Sequence, residues 1–442
     1  MTRLDSQTSF LAIAGAVVAG VGVAYSPLVA AAAAGAFLGL YLRNRPRQAF
    51  AFYVAVLFLV PSWVQARFFV PLPPSALAAI IVLPALLQAK NSKVLNVLDV
   101  ILVVVTGIAA FGAVTGISPK YAFTALVVQW LSSYLIGRGL GRACGEQFVA
   151  NVVSVLAVFV AIWAMIEFGT GQHIFENLPG TNNQGGWAVI QERGGYARSE
   201  AAFGHAIILG GVLALTIPFL FASTLRFRNL MMAIIGGGII VSLSRGPMLA
   251  AILTVALIVV FLPSSLGTGK RIGAAITAGL TAVFAVPTVL SIFGAIQGDL
   301  DASTDYRTTV FSTLPSDMRI IGLAERVGVS PYGGGTTYRG ANSIDSTPLI
   351  LGMWWGWIAI LLLVLAMLFA VVRIIRRRGS VAEIALVGQI PVLITVAPIT
   401  QYGPLLFLVA GLAVAAYEPA TARSVATECE PRLSLPVLSP RP

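Results

Sequence analysis

Charge is what this chain has least of. Only 10% of its 442 residues are Asp, Glu, Lys or Arg, whereas a soluble globular chain carries about 25%. So few charges do not coat a water-facing surface of that size, which excludes a soluble enzyme, a secreted domain and a nucleic-acid-binding module. Cysteine is nearly missing too. Cys144 and Cys429 are the two present, too few for a disulfide framework or a thiolate cluster. Histidine is limited to His173 and His205, and no H-E-x-x-H pair or carboxylate-rich helix suggests a metal. The formal net charge of +11 comes without a Lys/Arg-rich run or a basic amphipathic helix, so nucleic acid is not the expected partner. A Walker motif, a Rossmann fingerprint and a G-x-S-x-G elbow are absent. The expectation is no nucleotide and no cofactor.

What the chain does have is apolar sequence. Hydrophobic residues make up 57% and the mean hydropathy is +0.90. They come in runs of roughly 15–22 residues, the length that crosses a hydrocarbon core as a helix. Candidate spans fall at 8–24, 27–42, 49–65, 73–89, 97–115, 121–137, 149–168, 204–222, 229–243, 247–263, 272–292, 346–372, 381–398 and 402–417. The pair at 8–42 and the hairpin at 243–247 are the weakest, so the fold class expected is an all-α polytopic membrane protein of about 12–14 transmembrane helices. These form one domain over 1–417. The N-terminus lacks a small-residue cleavage site and reads as a retained first span. The arginine-bearing stretch 418–442, with Pro and Ser and little periodicity, reads as a disordered tail.

Lys and Arg set the orientation, because cytoplasmic loops hold their excess. Nineteen of the 28, including Arg43, Arg45, Arg47, Arg138, Arg228 and Arg373, fall on one side. The other side holds Arg67, Lys120, Arg193, Arg198, Arg245, Arg307, Arg319, Arg326 and Arg339. Both termini are therefore expected in the cytoplasm, and two polar segments, at about 169–203 and 293–345, outside it. The seven exterior cations from Arg193 to Arg339 include no lysine. Arg presents a planar fork suited to bidentate phosphate contact, where Lys is a point charge, so this face suits a phosphate-bearing ligand. The bland alternative is pairing with loop acids such as Asp317 and Glu325, above all for Arg319 and Arg326. Arg245 differs, because it stands between two apolar runs with hardly any loop, where an arginine by default marks function or a paired charge. His173 reads as a surface loop residue, and His205 as a helix-end residue or a catalytic one.

Three stretches together resemble the O-antigen ligase/polymerase superfamily of bacterial integral-membrane glycosyltransferases. RGGYARSEAAFGHAIILGGVLALTIPF (193–219) is similar to the family's exterior Arg followed by a short entry into a span. VSLSRGPML (241–249) resembles its Ser-Arg-Gly at a tight exterior hairpin. SPYGGGTTYRGANSIDSTPLILGMWWGWIAI (330–360) resembles its Gly-rich loop leading into an apolar run with Gly. They lie in the family's order across the middle third of the chain. One departure concerns the His-Asn that opens the third motif in ligases. Counting back from Gly356, Asp345 takes that place; with Asn342 aligned instead, Ala341 does. No histidine stands there either way, which favours a polymerase over a ligase.

The resemblance implies glycosyl transfer, with inversion and without a metal, from a polyprenyl-diphosphate-linked glycan donor to an acceptor glycan, at the outer face of the bacterial cytoplasmic membrane. A leaving lipid diphosphate then needs preorganised cations. Arg198 and Arg245 are the first candidates, with Arg193, Arg307 and Arg339 beside them. The acceptor hydroxyl needs a base. Asp345 is the carboxylate placed for it, with Glu200 and Asp305 as alternates. Asp345 before Ser346-Thr347-Pro348 also reads as a helix cap, and the two roles are compatible. Ligase-type transfer to a lipid or other acceptor stays open, as does a flippase or secondary transporter. A transporter, however, usually places ionisable groups near the midplane in repeated halves, whereas Asp99, Glu167 and Glu383 fall near span ends here.

Overall fold

The computed structural model of the chain describes residues 27–67, 71–89, 95–176, 189–193, 195–261, 279, 308–329, 336–339 and 344–416. The expected spans at 8–24 and 272–292, the tail, and Arg307 lie outside them. The described residues are mostly helical. In chain order they give α1 (Pro27–Leu42), α2 (Pro46–Leu59), α3 (Pro74–Gln88), α4 (Val97–Thr115), α5 (Lys120–Ala125), a π-helical turn (Leu126–Leu131), α6 (Ser132–Cys144) and α7 (Glu146–Thr170). Then follow α8 (Ala206–Ala222), α9 (Arg228–Val241), α10 (Arg245–Phe261), α11 (Thr347–Trp355), α12 (Trp357–Ile375), α13 (Val381–Gly388), α14 (Ile390–Thr395) and α15 (Tyr402–Ala415). Three antiparallel ribbons interrupt them: β1 (Ala66–Arg67) with β2 (Pro71–Leu72), β3 (Glu192–Arg193) with β4 (Tyr196–Ala197), and β5 (Val327–Val329) with β6 (Thr336–Tyr338). By length and composition, α4, α7 and α12 are long and apolar enough to cross a membrane, and the shorter apolar helices stand among them.

Helix α8 is the hub. Its residues from Ile208 to Leu220 are buried without interruption, so no polar stripe is needed on it. It is enclosed by α7, α9, α10 and α13 in one large core. A second core gathers α4, α5 and the π turn, α11, residues 310–324 and Tyr338.

Cations and caps mark one end of the bundle. The Arg47 guanidinium lies over Phe148, Gln147 Nε2 donates to the Ala222 carbonyl, and Arg228 Nη1 donates to the carbonyls of Phe221 and Ser223. Two acids inside apolar runs belong to capping boxes. Asp99 closes the one at Asn96 and also takes Tyr134 Oη at 2.6 Å and Arg138 at 3.1 Å. Glu383 closes the one at Ser380 and takes Arg373 Nε at 2.7 Å. Buried acids used this way cap helices and fix cations.

The opposite end collects the polar connections. Gln401 Nε2 donates to the carbonyls of Val60 (2.9 Å) and Ala202 (2.7 Å), tying the ends of α2, α8 and α15 together. Leu323 N donates to the Ile117 carbonyl and Ala324 N to that of Met353, which fastens residues 308–329 over α4 and α11.

One expected span divides. The run 346–372 breaks at Gly356 into α11 and α12, because the carbonyls of Arg319 and Ile320 press against it. A Cβ there would lie 2.5 Å from the Ile320 oxygen, and φ is +86°, a conformation only glycine adopts freely. By length and composition only α12 of this run is long and apolar enough to cross a membrane, and α11 becomes part of the loop end. The run 381–398 likewise divides at Gln389 into α13 and α14 and ends at Thr395.

Candidate functional site

The loop end brings the first two motif segments into contact. Residues 191–193 and 195–205 fold back over the turn Ser242–Ser244 between α9 and α10, with Ser199 N donating to the Val241 carbonyl at 3.2 Å. Arg198 is buried and spends its whole fork on this junction. Its Nε donates to the Ser242 carbonyl (3.3 Å), Nη1 to Gln191 Oε1 (2.9 Å) and Nη2 to Ser244 Oγ (2.8 Å). All three partners are neutral. Burial, and then the nearby Arg193, pull its pKa down to about 10, so it keeps its charge at neutral pH. Arg193 Nη1 donates to the Leu243 carbonyl at 3.0 Å. Arg245, exposed, opens α10 at the end of the same turn. Three of the five arginines expected to bind diphosphate therefore converge on four consecutive residues. Arg198 is the pin of the arrangement, and Arg245 faces outward.

Beneath the arginines lies a carboxylate–imidazole pair that the sequence does not announce. Glu167, in the last turn of α7, receives the N–H groups of Glu200 (2.7 Å) and Ala201 (3.2 Å) on Oε1. Its Oε2 lies 3.1 Å from His173 Nδ1. Both side chains are fully enclosed, so His173 is not the surface residue expected. Two consecutive backbone N–H groups aimed at one oxygen form an anion nest, and Ala201 takes φ +46° to make it, a left-handed conformation costing about 1 kcal/mol. The Glu200 carboxyl is pushed up to about 7, chiefly by burial. His205 is the N-cap of α8, its Nδ1 accepting from Ile207 N at 3.2 Å. Burial and the two arginines hold its pKa down to about 4, so it is a neutral cap.

The third motif arrives from the other side of α14. Thr347 Oγ1 donates to the Val396 carbonyl at 2.7 Å, and a Cβ on Gly246 would lie 2.7 Å from Thr395 Oγ1. The segments carrying Asp345 and Arg245 thus flank adjacent residues at the end of α14. Asp345 is half-buried, and Ser346 rather than Asp345 occupies the N-cap position of α11. Arg339 stands apart from the arginine group, its Nη2 on Asp317 at 2.8 Å, with Tyr338 Oη on the same oxygen at 2.6 Å. Arg326 is 3.9 Å from Asp317 and Arg319 4.0 Å from Glu325, which is the salt-bridge use expected of both. The Tyr338 hydroxyl, followed by Arg339, holds the Asp317 carboxyl below its ordinary range.

Buried polar atoms without a protein partner are rare in native proteins. Among the described residues, eight side-chain atoms qualify. Seven of them, Trp63 Nε1, Trp163 Nε1, His173 Nε2, Ser346 Oγ, Trp355 Nε1, Thr400 Oγ1 and Gln401 Oε1, sit on segments at or near this one end. Compared with protein-family models, with curated proteins and with solved structures, the chain gives no match.

Proposed function

We propose that the protein is a polytopic membrane enzyme of about 12–14 spans with both termini in the cytoplasm, and that its loop end, outside the bacterial cytoplasmic membrane, transfers a glycan from polyprenyl diphosphate to an acceptor glycan. One observation carries this most: Arg193, Arg198 and Arg245 gather at a single turn, and the pin of the cluster is bonded only to neutral groups. Positive charge held in place and not neutralised by its pin's partners is what a departing diphosphate requires.

In the step, the acceptor oxygen bonds to the anomeric carbon from the face opposite the phosphate. The carbon–oxygen bond to the diphosphate breaks, and the electron pair leaves on the lipid diphosphate. Arg245 meets the charge that develops there, Arg193 stands beside it, and Arg198 holds the turn in register. The acceptor hydroxyl gives up a proton, for which Asp345 and the Glu167–His173 pair are the two groups in place. Neither nucleotide nor metal enters. Asp99 and Glu383, at the opposite end, cap helices and hold arginines, a structural use rather than the ionisable relay that transport uses.

The test uses purified protein with a polyprenyl-diphosphate oligosaccharide, following glycan length and released lipid diphosphate. Lengthened glycan is expected, with Arg245→Ala lowering turnover about 10²–10³-fold. Substrate moved across proteoliposomes with no diphosphate released would replace the transferase with a transporter. Transfer to a lipid acceptor without lengthening would make it a ligase.

A further inference from the structure

We infer that His173, oriented by Glu167, is the proton acceptor of this site. The inference rests on the transfer reaction proposed above and moves the base from Asp345, which sequence spacing nominates, to a residue brought in by the fold.

The case begins with the carboxylate. Glu167 is held on both oxygens, Oε1 by two backbone N–H groups and Oε2 by the imidazole. A carboxylate oxygen only accepts, so His173 Nδ1 carries the hydrogen, and in the neutral ring Nε2 presents a lone pair. That lone pair has no partner and is fully buried. A base fixed by a third group, with its reactive nitrogen unsatisfied, is the arrangement by which imidazole is made a proton acceptor. His205 provides an internal contrast. Its Nδ1 accepts from a backbone N–H, so its hydrogen lies on Nε2. The two histidines of the chain are held in opposite tautomers, and only one leaves a lone pair free.

The pair is continuous with the arginines. Glu200, whose N–H binds Glu167, carries a carboxyl that feels both His173 and Arg198. Around the imidazole stand Trp63 and Phe175, with ring centroids at 6.4 and 5.8 Å, and Trp163 lies 5.3 Å from Phe175. Aromatic faces of this kind suit a sugar ring, and two of them bring N–H donors that lack partners. An acceptor sugar displacing Phe175 from the imidazole would meet all three unsatisfied nitrogens. Its hydroxyl proton passes to Nε2 as the oxygen bonds to the anomeric carbon, and the electron pair of the broken bond leaves with the lipid diphosphate.

Because the chain has two histidines, selective ¹⁵N-histidine labelling of the intact protein in nanodiscs resolves both rings, assigned with His205→Asn. We expect His173 as the Nδ1–H form and His205 as Nε2–H. Glu167→Gln should reverse His173 alone: the amide oxygen stays in the nest and its NH₂ then donates to Nδ1. In the transfer assay, His173→Gln and Glu167→Gln should each lower turnover about 10²–10⁴-fold with polyprenyl diphosphate still bound. An Nε2–H signal at His173 overturns the inference whatever the activity. So does a His173→Gln enzyme as fast as the wild type, which would leave the transferase assignment standing. A wild type that releases no lipid diphosphate with any acceptor removes the transferase, and the base along with it.

Discussion

Two clasps close the loop end, and they are built on opposite principles. One joins residues 195–205 and Gln191 to the turn 242–244 through Arg198, buried and bonded to a carbonyl, an amide and a hydroxyl. The other joins the 308–329 segment to β6 through Asp317, with Arg339 and the Tyr338 hydroxyl on one carboxylate oxygen. In the second, charge meets countercharge at a half-open surface, and the result is a local fastening. In the first, a guanidinium is held where it is not neutralised by its own ligands, at a cost in desolvation that its pKa registers. Stability alone does not call for that. The first clasp thus holds a positive charge that its own ligands leave uncompensated, and in the second the charge is met by Asp317; only the first fits the anion site proposed above.

The largest test of that contrast is Arg198→Ala. It strips partners from three buried groups at once, and unmet buried hydrogen bonds cost about 1–3 kcal/mol each. We expect about 3 kcal/mol lost in chemical denaturation in detergent. Arg198→Lys should recover little, because an ammonium does not span three acceptors in a plane. Arg339→Ala, at an exposed ion pair, should cost clearly less. Equal losses for the two arginines would end the distinction.

How the clasps were visible beforehand also differs. One helix was plain in the sequence: the run 97–115 is α4 to the residue, because Asn96 and Gly116 punctuate an unbroken apolar stretch. The arginine set was legible from its lack of lysine. Its division into a group at the turn 242–245 and a separate salt-bridged arginine was not, since Arg339 is committed by Asp317, 22 residues away. The break at Gly356 was hidden too. WWGW reads as one apolar run, and only the carbonyls of residues 319–320 interrupt it. His173 escaped because it lies past the left-handed Gly171 that ends α7. The chain reverses there, so its pairing with Glu167 follows no helical spacing.

The clasps should also answer pH with opposite sign. Glu200, next to Arg198, is raised from 4.5 to about 7 by burial, so the folded state holds its proton more tightly than the unfolded chain. Its contribution is full below about 4.5 and disappears as pH rises to about 7, at most about 3 kcal/mol. Glu200→Gln should flatten this limb of the stability–pH curve, measured by thermal unfolding from pH 4.5 to 8. An unchanged slope would mean that Glu200 titrates alike in both states.

Asp317 supplies the smaller and reverse effect. Its carboxyl is held below the ordinary 3.8 by the Tyr338 hydroxyl and Arg339. The stability it lends is present above that value and lost as pH falls through its lower folded pKa. Hydrogen exchange of residues 308–329 should therefore quicken on acidification below about pH 4 while residues 195–205 hold. Asp317→Asn should show the faster exchange already at pH 7. Salt should act like the substitution, since the pair is exposed and screened. If both segments loosened together in acid, the loop end would be one cooperative unit, and the separation of a charged site from its scaffold would fail.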